Sequence, residues 1–273
     1  MGRTASNPLD YSGHVVVVTG GARGVGRGIT EAFLAAGAEV LICGRRTPEA
    51  RDLPTAKGRS AFFVAADIRD PEQATGVIAA ATERFGKLDV LVNNAGGSPN
   101  VPAADASARF VTSVVTLNLL APFFCAQAAN AVMQAQPEGG TILNIGSVSG
   151  TRPSPGTAAY GAAKAGLANL TETLAVEWAP KVRVNGIVAG LLATEAADDH
   201  YGGAEGLKVA ASTVPLGRMG TPDDIAGACV FLASRLAGYI SGTNLVIHGG
   251  GERPAFLVAF ERFLAERGTT THL

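Results

Sequence analysis

Apolar runs rich in β-branched residues alternate with stretches of helical periodicity along almost the whole chain. His14–Thr19 (HVVVVT) has no polar break and is closed by Gly20-Gly21, the pattern of a strand buried on both faces. Gly24–Ala36 follows with Val25, Ile29, Phe33 and Leu34 at helical spacing. Further strands are predicted at Glu39–Cys43, Ala61–Ala65, Leu88–Val92, Thr141–Ile145, Val182–Val188 and Asn244–Ile247. Helices are predicted over Pro71–Phe85, Ala106–Gln134, Ala158–Trp178 and Asp223–Ala233. The first of these has proline in its opening turn. The last is entered through Thr-Pro-Asp-Asp, which combines an N-cap with acidic residues at the positive end of the helix dipole. Parallel strands need helix-length crossovers, so the alternation predicts an α/β fold: a doubly wound parallel sheet of about seven strands with helices on both faces.

With no linker, repeat or low-complexity stretch, one domain is expected over 13–250, with an N-terminal arm (1–12) and a C-terminal extension (251–273). Within the domain, 191–219 differs in character. It holds Gly202, Gly203 and Gly206, the acids Glu195, Asp198 and Asp199, and little periodicity. A flap of loop and short helix is expected there, and long excursions at strand ends of such sheets are usually functional.

Composition narrows the possibilities. The 273 residues are 47% hydrophobic, too apolar for a disordered chain. With 22 basic against 23 acidic residues, nothing points globally to nucleic acid or an anionic membrane. No uninterrupted apolar run approaches the length of a membrane span, and the first residues lack the apolar centre of a signal peptide. Gly2 and Ser6 fit the permissive acylation pattern, for which a disordered terminus is the plainer reading. Cys43, Cys125 and Cys229 lie in apolar stretches without paired spacing, which suits buried, reduced thiols in a cytoplasmic protein. His14, His200, His248 and His272 are scattered, so no metal site is expected. The 35 glycines call for many tight βα junctions, or for backbone lying against a ligand.

One such place is Thr19–Gly26, TGGARGVG, between the first strand and the first helix. Gly20, Gly24 and Gly26 would permit a tight turn, close approach to a pyrophosphate and close helix–strand packing, with the helix N-terminus facing the phosphates. The second strand ends in Gly44-Arg45-Arg46. An acid there would hold a ribose 2′-hydroxyl, whereas arginine offers a fork of donors to a 2′-phosphate. With Arg23 in the glycine loop, the choice falls on NADP(H) over NAD(H), the alternative being solvated loop charges.

Tyr160 and Lys164 share one helical face, a turn apart. Ser147 follows the fifth strand and Asn118 lies in the long preceding helix. Together with TGGARGVG, Asn93-Asn94-Ala95-Gly96 and a serine thirteen residues before the tyrosine, the chain resembles the short-chain dehydrogenase/reductase family in its single-domain form, from about Tyr11 to Gly250. The likeness includes Asp67-Ile68, Val182-Arg183-Val184-Asn185 and Pro215-Leu216-Gly217-Arg218. It implies an oxidoreductase interconverting a secondary alcohol and a ketone, with Tyr160 as general acid/base and Ser147 holding the substrate oxygen. Lys164 would grip the nicotinamide ribose and, with the oxidised nicotinamide, lower the pKa of Tyr160. Asn118 would fix a water relaying protons to Lys164. Cofactor contacts are implied for Gly20, Arg23, Gly24, Val25 and Gly26, and for Arg45 and Arg46. Asp67 and Ile68 would meet adenine, Asn94, Ala95 and Gly96 would line the crevice, and Thr194 would reach the carboxamide, with Gly190 and Leu192 nearby. A homo-oligomer, dimer or tetramer, is implied too, and the apolar run Leu117–Val132 fits one.

Two departures stand out. The family's Pro-Gly after the sixth strand is here Ala189-Gly190, and losing proline should loosen the flap or change its path. The chain also continues about twenty residues past the usual end, with Phe256, Phe260, Phe263 and Leu264 on one helical face. That helix would pack on its own subunit, lie along a neighbour or partly cover the substrate pocket. The expected pocket walls, 97–102, 149–155 and 191–201, are small, apolar and irregular, which suits a nonpolar, steroid-, sugar- or acyl-type carbonyl. A catalytically silent dinucleotide-binding protein, or another reaction on the same scaffold, are the rival readings.

Overall fold

The computed structural model describes residues 7–267 apart from 196 and 198–200. Gly2, Ser6, Asp198, Asp199, His200 and His272 lie outside the described residues. In chain order the elements are β1 (Val15–Thr19), α1 (Gly24–Ala35), β2 (Glu39–Gly44), β3 (Thr55–Ala56), β4 (Arg59–Ser60), β5 (Phe62–Ala65), α2 (Pro71–Phe85), β6 (Val90–Asn93) and α3 (Ala108–Val115). A π-helical stretch (Thr116–Leu120) leads into α4 (Ala121–Ala135), β7 (Gly140–Ser147), α5 (Ala158–Glu177), β8 (Val182–Ala189), α6 (Gly203–Ser212), α7 (Pro222–Ala233), β9 (Asn244–Ile247) and α8 (Ala255–Glu266). Seven strands form one sheet in the order β5-β2-β1-β6-β7-β8-β9, parallel throughout. This is the doubly wound α/β fold that the strand–helix alternation predicts.

Alternate residues of the strands enter two cores. Val15, Val17 and Leu41 join α2, α4 and the inner face of α5 on one side; Val16, Val18, Val40 and Ile42 join α1 and α7 on the other. Both faces of β1 are therefore covered, which is why its five residues are all buried and read as an unbroken apolar run. From β1 the chain winds outward through β2 to β5, then returns to β6 and proceeds the opposite way to β9. The reversal between β1 and β6 leaves a crevice over their carboxyl ends, where sheets of this kind bind ligands.

Helices α1 and α7 meet closely because Gly28 lacks a side chain. A Cβ there would lie 2.6 Å from Pro222 Cβ and 3.1 Å from the Pro222 carbonyl carbon. The start of α7 is fixed by a reciprocal capping box between Thr221 and Asp224. Arg218 donates to both Asp224 carboxylate oxygens, at 2.7 and 2.8 Å, and holds that carboxyl well below its usual range.

The differences from expectation are local. The β3–β4 hairpin turns through Lys57 and Gly58, both at positive φ, and its strands are too short to show alternation. The expected arm is not all peripheral: Tyr11 is buried, its hydroxyl donates to the Val230 carbonyl at 2.6 Å, and its ring meets Phe33 edge-on. The helical run Ala108–Ala135 is, by length and composition alone, apolar enough to cross a membrane, contrary to the expectation that no such stretch exists. In the fold, Ala121, Cys125, Ala129 and Met133 of that run are buried in the core.

Replacing Gly28 with alanine is expected to destabilise the chain by about 1–3 kcal/mol through overpacking against Pro222. Denaturant unfolding checks this; an unchanged midpoint would mean that α1 and α7 separate without penalty.

Candidate active site

The crevice begins at the loop between β1 and α1. Gly20 and Gly24 sit at φ +65° and +51°, left-handed conformations that residues with a Cβ rarely adopt. At Gly26 a Cβ would collide with the Gly20 carbonyl oxygen and Asn94 Nδ2. Gly21, not singled out by the spacing, is equally constrained, because a Cβ there would run into Ile42. Arg23 caps α1 with its backbone only and no side-chain hydrogen bond, so the amides of the first turn, Val25 among them, are left for a ligand. Thr19 Oγ1 accepts from the N–H groups of Asn94 and Ala95, each at 3.0 Å, and Asn94 Nδ2 donates to the Thr19 carbonyl at 2.9 Å. These bonds join the ends of β1 and β6 and fix the crevice width. Thr19 opens the TGGARGVG run but was given no role of its own from sequence.

Arg23, Arg45 and Arg46 are exposed beside this loop, and each lacks a hydrogen bond or ion pair among the described residues. Most other arginines are engaged: Arg27 with Glu31, Arg59 with Glu39 and Arg218 with Asp224. Asp67, at the end of β5, accepts from Arg69 Nε at 2.9 Å. That bond, with the fields of Arg69 and Arg45, holds its carboxyl below the ordinary range. Ile68 beside it is buried. A glycine turn, a helix start with free amides and three unpaired guanidinium groups fit a phosphorylated dinucleotide.

The four candidate catalytic residues converge next to the crevice. Ser147 ends β7, and its Oγ accepts from the Ser149 amide at 3.2 Å; its hydroxyl is near enough to that of Tyr160 to favour the phenolate. Lys164, one turn along α5, is 4% exposed and donates from Nζ to the Ile145 carbonyl at 2.7 Å. That Nζ lies 5.7 Å from the Tyr160 ring centre. Asn118, in the π-helical stretch, is fully buried. Its Oδ1 accepts from the Gly97 amide and its Nδ2 donates to the Gly97 carbonyl, both at 2.9 Å. Gly96 links the two halves of the group: a Cβ there would lie 2.7 Å from Asn118 Oδ1 and 3.3 Å from Lys164 Nζ. The short turn Val148–Gly150 seats on α5 because both surfaces carry glycine. A Cβ at Gly150 would approach the Ala165 amide to 2.7 Å, and one at Gly161 the Ser149 carbonyl to 2.7 Å.

Burial pushes the Lys164 ammonium down to about 8. It also raises the Tyr160 phenol above its ordinary value, only partly offset by the nearby Ser147 hydroxyl. The expected lowering of the Tyr160 pKa by Lys164 is therefore not a property of the polypeptide alone, because desolvation outweighs the favourable contacts.

On the far side of the crevice, Ala189 is the last residue of β8. It pairs with Ser147 on one side and Ile247 on the other, within an interior strand of the sheet. Gly190 then donates to the Ile247 carbonyl at 2.9 Å and has no room for a Cβ, which would lie 2.6 Å from His248 Cβ. Leu192 bridges to Gly220, and Thr194 comes next to the glycine loop near Gly24. Within the expected flap α6 is helical, and α8 forms in the extension, with Phe260 and Phe263 stacked and partly exposed. A cavity of about 240 Å³ opens beside Val148 and Gly190. Its walls include Arg152, His248 and Glu252, so the space beside the segments after β7 and β8 is more polar than their small, apolar sequences suggested.

The model of a family described as enoyl-(acyl carrier protein) reductase matches residues 20–252. The chain is 36% identical over 243 residues to L-rhamnose 1-dehydrogenase (NAD(P)(+)) of Azotobacter vinelandii, covering 86% of this chain and 95% of that protein. It is 36% identical over 246 residues to galactitol 2-dehydrogenase of Agrobacterium fabrum, covering 86% and 96%. The crystal structure of a short chain dehydrogenase from Bacillus anthracis superposes with a TM-score of 0.77 at 34% identity, covering 87% of this chain and 96% of that one.

The buried lysine has a measurable signature. Above its unfolded value of 10.5 neither state carries the proton; below about 8 both do, and the desolvation cost is fully present. Between these limits the unfolded chain binds more protons, so this group makes stability rise with pH. The raised cysteine and tyrosine groups act oppositely but are common to wild type and Lys164→Met. The stability difference, wild type minus Lys164→Met, is expected to grow by up to about 3 kcal/mol between pH 7 and 10. Denaturant titrations at several pH values check this, and a difference independent of pH would contradict the buried ammonium.

Proposed function

The chain belongs to the short-chain dehydrogenase/reductase family and is an oxidoreductase of that family, and from this premise we propose that it interconverts a secondary alcohol and a ketone with NADP(H). The observation that carries the reading is the convergence of Ser147, Tyr160, Lys164 and Asn118 beside the crevice at the β1/β6 reversal. A bound nicotinamide dinucleotide would supply the hydride acceptor or donor. Everything else falls to side chains of this chain. Ser147 Oγ holds the substrate oxygen. Tyr160 Oη takes the alcohol proton on oxidation and returns one to the carbonyl oxygen on reduction. Lys164 supplies the nearby positive charge that favours the phenolate and holds the nicotinamide ribose. Asn118, fixed by Gly97, orders a water that passes protons to Lys164.

The unpaired Arg23, Arg45 and Arg46 support NADP(H) over NAD(H), because a 2′-phosphate would find donors and no opposing acid at the end of β2. Gly20, Gly24, Val25 and Gly26 would take the pyrophosphate, Asp67 and Ile68 the adenine, Asn94, Ala95 and Gly96 the crevice wall, and Gly190, Leu192 and Thr194 the nicotinamide side. The names of the rhamnose and galactitol relatives support an alcohol carbon as the reacting centre. A cytoplasmic homo-oligomer belongs to the same reading. It draws support from the buried free thiols of Cys43, Cys125 and Cys229 and from exposed Val111, Leu120, Val176 and Tyr239.

Tyr160→Phe is expected to lower turnover by at least about 100-fold while leaving NADPH affinity within a few-fold, read by absorbance at the reduced-nicotinamide band and by binding fluorescence. Tight NADPH binding with no turnover in the wild type would favour a silent binding protein instead. The double variant Arg45→Ala, Arg46→Ala is expected to cut the NADPH-over-NADH preference in kcat/KM at least about tenfold. Equal use of both cofactors by the wild type would contradict the arginine argument.

A further inference from the structure

The cavity beside the catalytic group has a wall built from three separate parts of the chain. Val148, Thr151 and Arg152 come from the turn after Ser147, Leu191 from the end of β8, and His248 and Glu252 from the segment after β9. Arg152 Nη2 donates to Glu252 Oε1 at 2.6 Å, joining residues a hundred positions apart. Thr151 Oγ1 donates inward to the Val148 carbonyl at 3.0 Å, which leaves its lone pairs for another donor. The His248 ring makes no hydrogen bond among the described residues and packs against Gly251, where a Cβ would lie 3.4 Å from Nε2. Tyr201 enters the flap side of the same group: Glu252 and Arg152 both act on its hydroxyl electrostatically.

We propose that this Arg152–Glu252 pair, with Thr151 and His248, selects a neutral, polyhydroxylated substrate, a sugar or polyol, for the alcohol-oxidising site described above, on whose assignment the proposal rests. Each side chain of the pair is one-third or more exposed, and such a pair adds little to fold stability, so stability alone does not account for it. Because the pair is mutually neutralised, it offers no unopposed cation to a carboxylate or a phosphate and no unopposed anion to an amine. An apolar ligand would strip water from the imidazole, carboxylate and hydroxyl groups without replacing their hydrogen bonds, which penalises it strongly. Hydroxyl groups both donate and accept, so they satisfy Glu252, His248 and Thr151 at once. The cavity, about 240 Å³, is below the range that holds drug-sized ligands, which suits a compact polyol over a steroid.

The test compares kcat/KM with NADP⁺ for an aldohexose and a hexitol, for cyclohexanol, and for 3-hydroxybutyrate, in the wild type and in Glu252→Gln and Arg152→Met. The wild type is expected to favour the polyhydroxylated substrates at least tenfold over cyclohexanol and 3-hydroxybutyrate. Each variant is expected to reduce the polyol-to-cyclohexanol ratio at least tenfold, mainly through KM. Circular dichroism and NADPH binding identify a variant that has failed to fold, and the substrate preference of the wild type stands as an independent measure. A wild type preferring cyclohexanol or the hydroxyacid, or folded variants with an unchanged ratio, would overturn this proposal while leaving the oxidoreductase reading intact. No turnover of any alcohol, or of the corresponding carbonyls with NADPH, would overturn both.

Discussion

A lysine buried at the end of a parallel sheet must find an acceptor, and much of the site follows from how Lys164 finds one. Its Nζ donates to the carbonyl of Ile145 on β7, which brings α5 against the strand that ends in Ser147. That seating brings the tyrosine one turn earlier near the serine hydroxyl. The same ammonium faces Gly96, where only a hydrogen fits between it and the amide of Asn118. Leaving this charge unpaired in the interior would cost several kcal/mol, so the contacts that satisfy it also hold the geometry of the group. Structural and chemical requirements here fall on the same atoms.

Around this centre the sheet supplies position. Reversal of the winding between β1 and β6 opens the crevice, and Thr19 bonded to the amides of Asn94 and Ala95 sets its width. The glycine loop then admits a ligand backbone-first, while the arginines at its edge remain unpaired. On the opposite wall, Ala189 pairs with Ile247 and Gly190 packs against His248, so the segment after β9 lies beside the end of β8.

The sheet was legible because its strands carry runs of β-branched and other apolar residues, as in Val15–Val18. The motif at Tyr160 and Lys164 was legible because helical spacing converts four positions into one face. Other features left no such trace. The π-helical stretch that carries Asn118 looks like ordinary helix in its periodicity. The β3–β4 hairpin is shorter than any alternation can reveal. The Arg152–Glu252 pair is invisible to local patterning because its partners meet only through the crossover from β7 to the end of β9, so the polar wall read as small, apolar loop. The rise in the Tyr160 pKa depended on burial, which spacing does not give.

The central claim is that hydride passes between nicotinamide and a carbinol carbon in this crevice, with Tyr160 handling the proton. The most direct measurement follows the label: the protein is incubated with NADPH carrying deuterium at the nicotinamide C4 position and with a ketone it reduces, and the product alcohol is examined by mass spectrometry and NMR. The account predicts deuterium on the carbinol carbon, from one face of the nicotinamide only, and a hydroxyl proton from solvent. Deuterium appearing in solvent, or a product alcohol with no label at that carbon, would contradict it.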